Sequence, residues 1–516
     1  MDIPSTTPVG VRNMADLVRR AAAVSPDKAA FRFRDEVVTW AEVDARVDAV
    51  ATGLRARGLT VGDRVALLLA NTPDYVAAYF GILRAGCVAV PINTSYTADE
   101  LTYLLNDSGT RMALCGRAAA PVVSGLLPDV PSLGTVLVTD TAPLSGTATF
   151  DELLRPGERV EPLTGGENLA VVMYTSGTSG RPKGAMLSHR ALIGNLEQTA
   201  RIEPKAIDAD DIVLLVLPLF HIYGLNGGLG EVAYHGATGV LVERFDPVET
   251  LAEIRRHGVT AVMGAPPMFV AWSMLPDVGE AFQTVRLAIS GSAPLPPAVH
   301  RTMLESTGHH VFEGYGLTET APVLTTTLTS EAPKPGSIGR PIPGVELRLL
   351  DDSRSEVDED DPGEIVVRGA NLFSGYWPDG REGPDADGWL GTGDVAYADE
   401  DGDLFLVDRM RELILVSGFN VYPREVEDVL IKHPDIAEVA VIAMPHPYTG
   451  ESVKALVRLA DGARLSAEDV IEYAALSLAR FKCPTTVRFL SSFPHTATGR
   501  VAKGQLREAE AAGVGG

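Results

Sequence analysis

Between Arg64 and Glu319 the sequence repeats one pattern: a short, often β-branched apolar run, a turn, and then a stretch with helical periodicity. The apolar runs are continuous rather than alternating, as parallel strands buried on both faces of a sheet require. Crossing helices are predicted at 72–86 and 247–258, each closed by a glycine. The pattern predicts α/β layering, with strands in RVALLLA, CVAVPIN, LAVVMY, DIVLLVLPL, VTAVMGAP and VRLAISGS.

The pattern changes after about residue 335. Short strands separated by Gly, Pro and Asp turns predict an antiparallel β subdomain in GVELRLLD, GEIVVRG and GDLFLVDR. Beyond Arg409, REVEDVLIKHP and SAEDVIEYAALSLARFK are predicted helices, and IAEVAVIAMP and SVKALVRLA are predicted strands. The predicted fold class is therefore α/β. A large N-terminal domain (1–409) of parallel-type α/β sheets carries the β subdomain, and a small α+β C-terminal domain (410–516) follows on a hinge.

The charge balance excludes one class of partner. The chain has 44 Lys and Arg against 68 Asp and Glu, a net charge of −24. A nucleic-acid surface needs basic patches, so none is expected. The opening MDIPSTTPVG lacks the order of a signal peptide, and no apolar run approaches the roughly 20 residues of a membrane span. A cytoplasmic location is predicted.

The segment VVMYTSGTSGRPKGAMLSHRAL (171–192) predicts a phosphate-binding loop. A buried strand ends at Tyr174, and hydroxyl residues, glycines and a lysine follow. Glycines let backbone N–H groups converge on an anion, hydroxyls add donors, and the lysine adds positive charge. The spacing is not that of Walker A, because Lys183 follows Gly180 by three residues. The candidate phosphate ligands are Thr175, Ser176, Gly177, Thr178, Ser179, Gly180 and Lys183.

YTSGTSGRPKG resembles the signature loop of the adenylate-forming superfamily, which includes acyl-CoA and aryl-CoA synthetases, peptide-synthetase adenylation domains and beetle luciferases. Further motifs follow in family order, so the resemblance covers essentially the whole chain: LPLFHIYGL, SGSAPLP, EGYGLTET, GWLGTGDVA, DRMRELILVSGFNVYPREVE and HTATGRVAKGQL. It implies an AMP-forming acid–thiol ligase. Such an enzyme makes acyl-AMP and pyrophosphate from a carboxylic acid and ATP, then a thioester from CoA. The implied cofactors are ATP, Mg²⁺ and CoA.

The resemblance also implies roles at the nucleotide. Thr318 lies near the α-phosphate, and Glu319 binds Mg²⁺, a cation that takes one or two carboxylates plus substrate phosphates. Asp394 accepts both ribose hydroxyls, a use suited to a bidentate acceptor, and Arg409 contacts the ribose too. Tyr315 offers its ring to adenine. The other adenine-site residues are Gly291, Ser292, Ala293, Glu313, Gly314 and Gly316.

Three further features belong to the second half-reaction. By resemblance, His221 lines the channel between the acyl pocket and pantetheine and gates the site. Ser417, Gly418 and Phe419 lie in the loop that forms the pantetheine tunnel. Arg411 falls at the hinge, where the family commonly has Asp or Lys. Domain alternation suits a site in which two chemistries share one adenylate.

The substrate is predicted to be a monocarboxylic acid whose remaining part is uncharged and apolar. Ala265 and Pro266 stand where peptide-synthetase domains carry a carboxylate, and Gly314 stands where malonyl-activating relatives carry Arg. Glycine-lined space with apolar walls suits a fatty acyl tail or an aryl ring. The candidate pocket residues are Tyr223, Asn226, Gly227 and Met268.

The leading interpretation is a medium- or long-chain fatty acid–CoA ligase. Three alternatives stay open: an aryl or cinnamate-type CoA ligase, a loader that passes the acyl group to a carrier protein, and a catalytically weakened relative kept for binding or regulation. A homodimer also stays open.

The last motif departs from the family at its catalytic cation. The family has Lys directly after the glycine of this motif, and this chain has Arg500. A planar guanidinium does not replace a compact ammonium conservatively. Arg500 is expected to occupy the catalytic position with reduced adenylation. Lys503 could substitute only in a shifted register, and is otherwise expected to be a solvated surface lysine.

Overall fold

The computed structural model describes residues 11–139, 147–155, 157, 159–176, 182–330, 333–351, 353–357, 361, 363–409, 414–421, 423–494 and 503–511. Several predicted site residues lie outside these ranges: Gly177, Thr178, Ser179, Gly180, Arg411 and Arg500. Ser176 and Arg409 end described strands, and their side chains lie outside the description.

The strands are β1 (Ala29–Phe33), β2 (Glu36–Thr39), β3 (Arg64–Leu68), β4 (Val88–Pro91), β5 (Met112–Cys115), β6 (Thr135–Val138), β7 (Ala148–Thr149), β8 (Leu169–Ser176), β9 (Pro182–Ser188), β10 (Ile212–Leu215), β11 (Thr238–Leu241), β12 (Ala261–Gly264), β13 (Leu287–Ser290), β14 (Val311–Gly316), β15 (Val323–Thr326), β16 (Ser337–Pro341), β17 (Val345–Leu350), β18 (Gly363–Gly369), β19 (Leu390–Ala398), β20 (Leu404–Arg409), β21 (Ile414–Val416), β22 (Phe419–Val421), β23 (Ile436–His446), β24 (Gly450–Leu459) and β25 (Thr486–Phe489).

The α-helices are α1 (Ala15–Val24), α2 (Trp40–Ala56), α3 (Pro73–Arg84), α4 (Ala98–Asp107), α5 (Ala120–Gly125), α6 (His189–Thr199), α7 (Glu231–His235), α8 (Pro247–His257), α9 (Pro266–Ser273), α10 (Val278–Ala281), α11 (Pro297–Thr307), α12 (Pro423–Leu430), α13 (Ala467–Ala475) and α14 (Lys503–Ala511). A π-helix spans Tyr223–Gly230, and short 3-10 helices span Phe282–Thr284, Thr318–Thr320 and Thr327–Thr329.

The first sheet has seven strands in the order β7-β6-β5-β3-β4-β8-β9. Its pairs from β7 to β8 are parallel, as the continuous apolar runs predict. Helix α3 is the predicted crossover between β3 and β4. The Thr72 hydroxyl caps its first turn by accepting from Tyr75 N, and Pro73 is its first residue.

The second sheet has thirteen strands in the order β17-β18-β19-β20-β16-β15-β14-β13-β12-β10-β11-β1-β2. Strands β11, β10, β12, β13 and β14 pair in parallel, whereas β14-β15, β15-β16, β16-β20, β17-β18 and β18-β19 are antiparallel. The predicted antiparallel strands are therefore present. They do not form a separate sheet, because β15 and β16 join them to the parallel strands through β14.

The chain clusters into two compact units. One contains residues 1–94, 102–175 and 184–408, and the other contains 95–101, 176–183 and 409–516. The first unit has an extensive core in which Trp40, Phe80 and Trp272 are fully buried. The described residues of both units confirm an α/β class with a larger N-terminal and a smaller C-terminal part.

The smaller unit contains a sheet in the order β22-β21-β24-β23, with β25 parallel to β24. Helix α13 begins with a capping box in which Ser466 and Asp469 bond each other's backbone. The sequence predicts this helix as far as Lys482, but it ends at Ala475. The chain leaves the helical path there, and Lys482 turns inward to pair with the buried Glu425 carboxylate at 2.9 Å.

Helix α2 packs closely on its surroundings through a glycine. A Cβ atom at Gly53 would lie 1.8 Å from the backbone oxygen of Leu153. Backbone cannot move aside as a side-chain tip can, so only glycine fits here.

We expect Gly53→Ala to destabilise the larger unit by at least about 2 kcal/mol, because the added methyl overpacks a rigid contact. Gly125→Ala is the matched control. A Cβ there meets nothing within 4 Å, and alanine is the better helix former by up to about 1 kcal/mol. Scanning calorimetry of both variants checks this, and equal unfolding temperatures would contradict it.

Candidate functional site

The described residues on either side of the predicted phosphate-binding loop (175–183) are closely packed. Tyr174, just before the loop, donates its hydroxyl to Asp107 Oδ2 at 2.5 Å. Burial and this carboxylate raise the pKa of Tyr174. Gly184 follows the loop, and a Cβ there would lie 2.6 Å from Val172 Cγ1. Both flanks are therefore in close contact with other described residues.

A second group forms around Glu319, the predicted Mg²⁺ ligand. Glu319 lies in a 3-10 helix after β14 and is 8% exposed. Tyr376 donates its hydroxyl to Glu319 Oε1 at 2.5 Å, and Phe373 N donates to the Glu319 backbone oxygen at 2.9 Å. Within the described residues, no Lys or Arg pairs with this carboxylate. A nearly buried carboxylate whose negative charge meets only a neutral phenol fits a divalent cation.

A third group joins the residues predicted at adenine and ribose. Tyr315 on β14 donates its hydroxyl to Asp394 Oδ2 on β19 at 2.7 Å. Asp394 is 3% exposed. The fold thus brings together two residues that lie far apart in the sequence, and the hydrogen bond fixes the orientation of the carboxylate.

The predicted adenine-site segment 291–293 is held by Glu313 and by close packing. Glu313 Oε2 accepts from Leu295 N at 2.9 Å, and burial raises the pKa of Glu313 to about 7. A Cβ at Gly291 would lie 2.8 Å from Tyr223 Cε1. Ser292 has a φ of 73°, in the left-handed region that is costly for a side-chain-bearing residue. Ala293 lies in the same segment, and Gly314 and Gly316 lie with Glu313 on β14.

The predicted acyl pocket is built on the π-helix. Asn226 is 1% exposed and donates its amide hydrogens to Leu192 O at 3.0 Å and Ala321 O at 2.7 Å. Its donors are therefore used to hold the helix. A Cβ at Gly227 would lie 2.8 Å from the Tyr223 ring. Met268 packs against the larger core.

The hydroxyl of Tyr223 is buried, and no described residue bonds to it. Burial raises the pKa of this phenol, so it stays a neutral donor. A buried donor without a partner is costly unless a ligand satisfies it.

His221 is neutral at physiological pH. Burial lowers the pKa of its imidazole to about 4, and Tyr223 N donates to Nδ1 at 3.4 Å. An accepting Nδ1 places the ring hydrogen on Nε2. The ring is thus a fixed neutral donor rather than a charged group.

The smaller unit contains the predicted pantetheine turn. Ser417 and Gly418 have φ values of 52° and 82° and connect β21 to β22, whose first residue is Phe419. Ser417 N donates to Thr449 O at 2.9 Å. Two successive positive φ values make a tight hairpin, which favours glycine at the second position.

Lys503 begins α14 and pairs with Glu427 Oε1 at 2.7 Å. The two side chains are only 13% and 17% exposed. Lys503 is therefore a partly buried, paired cation rather than the solvated surface lysine that the sequence suggested.

One acidic cluster is structural. Asp399, Asp401 and Asp403 bring their oxygens within metal-binding distance of one another. Lys334 Nζ pairs with all three, at 2.6, 2.7 and 3.1 Å, and Arg340 also pairs with Asp403. An ammonium already balances these carboxylates, so we assign no metal to them.

Sequence reasoning missed four residues that hold the site: Asp107, Tyr174, Tyr376 and Trp377. The only signal was the pair of aromatic residues in FSGYW after a glycine.

Among the described residues, no helix is long and apolar enough to cross a membrane.

Comparison with known proteins identifies the class. The sequence model of the AMP-binding enzyme family matches residues 18–377, and that of the AMP-binding enzyme C-terminal domain matches residues 425–500. The chain therefore belongs to the AMP-binding enzyme family, the adenylate-forming superfamily predicted from its motifs.

Individual relatives define the branch. A long-chain-fatty-acid–CoA ligase of Bacillus subtilis (strain 168) is 32% identical over 99% of this chain and 96% of its own length. A feruloyl-CoA synthase of Amycolatopsis sp is 35% identical over 95% of this chain and 97% of its own length. The structure of the amide bond synthetase McbA from Marinactinospora thermotolerans has a TM-score of 0.87 and 29% identity, over 96% of this chain and 99% of its own. The chain is an enzyme of the acyl-CoA synthetase branch, as the sequence predicts.

The raised pKa of Glu313 predicts a pH-dependent stability. In the folded state the Glu313 carboxyl stays protonated up to about pH 7, whereas the ordinary pKa of a glutamate is 4.5. This stabilisation is complete below about pH 4.5 and is lost as the pH rises through 7, a change on the order of 3 kcal/mol. Glu313→Gln mimics the protonated form and should remove the decline.

Denaturant unfolding of the wild type and Glu313→Gln between pH 5 and pH 8 measures the effect. Glu305→Gln on α11 is the control, because Glu305 is exposed. If Glu313→Gln kept the full pH dependence of the wild type, the assignment would be wrong.

Proposed function

We propose that this enzyme activates a medium- or long-chain fatty acid with ATP and transfers the acyl group to CoA. In the first step a carboxylate oxygen attacks the α-phosphorus of ATP, the bond to the bridging oxygen breaks, and pyrophosphate leaves. In the second the CoA thiolate attacks the acyl carbon, AMP leaves, and the thiol proton passes to solvent. The observation that supports this proposal most is that the predicted acyl-pocket residues carry no charge: Tyr223, Asn226, Gly227 and Met268. The chain is also similar to long-chain-fatty-acid–CoA ligases.

The family motifs support the nucleotide roles, and the described surroundings of Glu319 and Asp394 agree with two of them. Thr175, Ser176, Gly177, Thr178, Ser179, Gly180 and Lys183 bind the β- and γ-phosphates. Thr318 contacts the α-phosphate, Tyr315 packs on adenine beside 291–293, and Asp394 and Arg409 hold the ribose. Glu319 holds Mg²⁺, which neutralises phosphate charge when bound. Catalysis of this kind is mostly positioning and charge neutralisation.

For the second step, His221 lines the thiol channel as a neutral Nε2–H donor. The Ser417–Phe419 turn covers pantetheine after the C-terminal domain, which begins beyond Arg409, rotates about Arg411. Support for a tight turn there comes from the positive φ values of Ser417 and Gly418.

The second candidate function is an aryl-CoA ligase. One observation favours it: the Tyr223 hydroxyl has no described partner. An alkyl tail offers no acceptor to this donor, whereas a phenolic or methoxy oxygen does. The similarity to a feruloyl-CoA synthase agrees with this candidate.

We expect ATP- and CoA-dependent thioester formation with decanoate and palmitate, and slower reaction with ferulate. Tyr223→Phe should leave fatty acid kinetics unchanged. Mass-spectrometric detection of the thioesters checks both points, with a holo-carrier protein as an alternative acceptor.

Two outcomes would contradict the leading proposal. The first is a preference for ferulate combined with a loss of about three- to tenfold in kcat/KM for ferulate alone in Tyr223→Phe, the value of one neutral hydrogen bond. The second is acyl transfer to the carrier protein without transfer to free CoA.

A separate prediction concerns the catalytic cation. Arg500→Lys should raise the rate of ATP–pyrophosphate exchange by about 10²- to 10³-fold, the usual effect of one transition-state contact. Thioester formation from supplied acyl-adenylate should change little.

The matched variants are Lys503→Ala and Glu427→Gln, which break the same ion pair from opposite sides. If both variants lose ATP–pyrophosphate exchange, the loss comes from breaking the ion pair, which is a structural effect. If Lys503→Ala alone abolished exchange and Arg500→Lys gave no gain, Lys503 would be the catalytic cation.

A further inference from the structure

Residues 374–377, between β18 and β19, pair with the start of β9, the strand that follows the phosphate-binding loop. Ser374 N donates to Met186 O at 2.9 Å, and Met186 N donates to Gly375 O at 3.0 Å. Trp377 N donates to Gly184 O at 2.8 Å, one residue after the loop. The segment is therefore fixed to the C-terminal flank of the loop by backbone hydrogen bonds.

The side chains of Tyr376 and Trp377 bond to different partners. Tyr376 donates its hydroxyl to Glu319 Oε1 at 2.5 Å, and its ring makes an edge contact with Phe373 at 5.1 Å. Trp377 donates Nε1–H to the backbone oxygen of Asp107 at 2.9 Å. One dipeptide thus connects the proposed Mg²⁺ carboxylate with the end of helix α4.

The N-terminal flank of the loop reaches the same helix end. Tyr174 donates its hydroxyl to Asp107 Oδ2 at 2.5 Å. Arg64 fixes this point from the other side: its Nε donates to Ser108 O at 2.6 Å, and its guanidinium lies 5.4 Å from the centre of the Trp377 ring. Both flanks of the loop are therefore held at Asp107.

We propose that Tyr376 and Trp377 are positioning residues that set the geometry between the proposed Mg²⁺ carboxylate and the two described flanks of the predicted phosphate-binding loop, Tyr174 and Gly184. This inference rests on the proposed function. Tyr376 holds one oxygen of Glu319 so that the carboxylate keeps one orientation toward the cation. Trp377, with Tyr174, keeps the two flanks of the loop at a fixed separation.

The two roles predict different losses. Partners that orient a metal ligand typically contribute about 10- to 100-fold in metal affinity or activity. A neutral hydrogen bond that only holds a loop contributes about three- to tenfold and does not depend on the metal. Tyr376 should therefore act through Mg²⁺, and Trp377 should act on nucleotide binding with or without Mg²⁺.

The test measures ATP binding to the full-length enzyme by calorimetry, without acid or CoA, in excess EDTA and in saturating Mg²⁺. Tyr376→Phe keeps the ring and removes only the hydroxyl. We expect it to reduce the Mg²⁺-dependent gain in ATP affinity by about tenfold and to leave the EDTA value unchanged.

Trp377→Phe and Tyr174→Phe should weaken ATP binding by about three- to tenfold in both conditions, because each frees one flank. Tyr448→Phe and Trp389→Phe are the controls. Tyr448 is 69% exposed, and the Trp389 ring instead packs against Arg348 and Arg368. Scanning calorimetry confirms that each variant is folded. For Tyr376→Phe, a merely structural effect would lower the unfolding temperature without changing the ratio of the two affinities. For Trp377→Phe and Tyr174→Phe, the positioning role requires the loss of affinity at an unchanged unfolding temperature, and a loss accompanied by a lower unfolding temperature would be structural.

The outcomes separate the two proposals. A wild-type enzyme that neither binds ATP nor exchanges pyrophosphate overturns the proposed function. A wild type that binds ATP in a Mg²⁺-dependent manner, with Tyr376→Phe and Trp377→Phe behaving like the controls, overturns only the positioning role. Equal losses with and without Mg²⁺ in Tyr376→Phe would also overturn the role of Tyr376.

Discussion

Parallel strand pairing is the constraint on which the rest of the molecule depends. In such a sheet every strand points the same way, so the segments that follow the strands gather at their carboxyl ends, where α/β folds bind ligands. The candidate residues obey this rule. The predicted adenine-site segment 291–293 follows β13, and Glu319 follows the neighbouring parallel strand β14. Chain direction therefore places these two parts of the candidate site at one edge of the second sheet. The predicted phosphate-binding loop follows β8 of the first sheet, so parallel pairing alone does not bring it to them.

Three tyrosine–carboxylate hydrogen bonds then organise the acids near these strand ends: Tyr174 with Asp107, Tyr315 with Asp394, and Tyr376 with Glu319. The chain has a net charge of −24, and its proposed nucleotide is itself an anion. A phenol orients a carboxylate without neutralising it.

The fold was predictable where the pattern of apolar residues in the sequence matches the burial of the element. Strands β3, β4, β8, β10, β12 and β13 and helices α3 and α8 match the predicted segments because buried parallel strands are continuously apolar. Pairing between distant strands has no local signal, so the continuity of the antiparallel strands with β14 was missed. The end of α13 was missed for a related reason: the ion pair of Lys482 with Glu425 is a tertiary contact. Tyr376 and Trp377 follow no period, and their hydrogen bonds become visible only in the fold.

The ion pair of Lys503 bears on which cation serves adenylation. Glu427 also accepts from Val441 N at 2.6 Å, so this carboxylate is fixed in place. To reach a substrate, Lys503 would have to leave a partly buried partner, which costs more than the roughly 0 to 1 kcal/mol of an exposed pair. Moving Lys503 would also disturb the start of α14, since it is the first residue of that helix. A residue with both structural duties is poorly suited to enter and leave a site during each turnover. The ion pair therefore supports the proposal that Arg500, rather than Lys503, is the cation that serves adenylation.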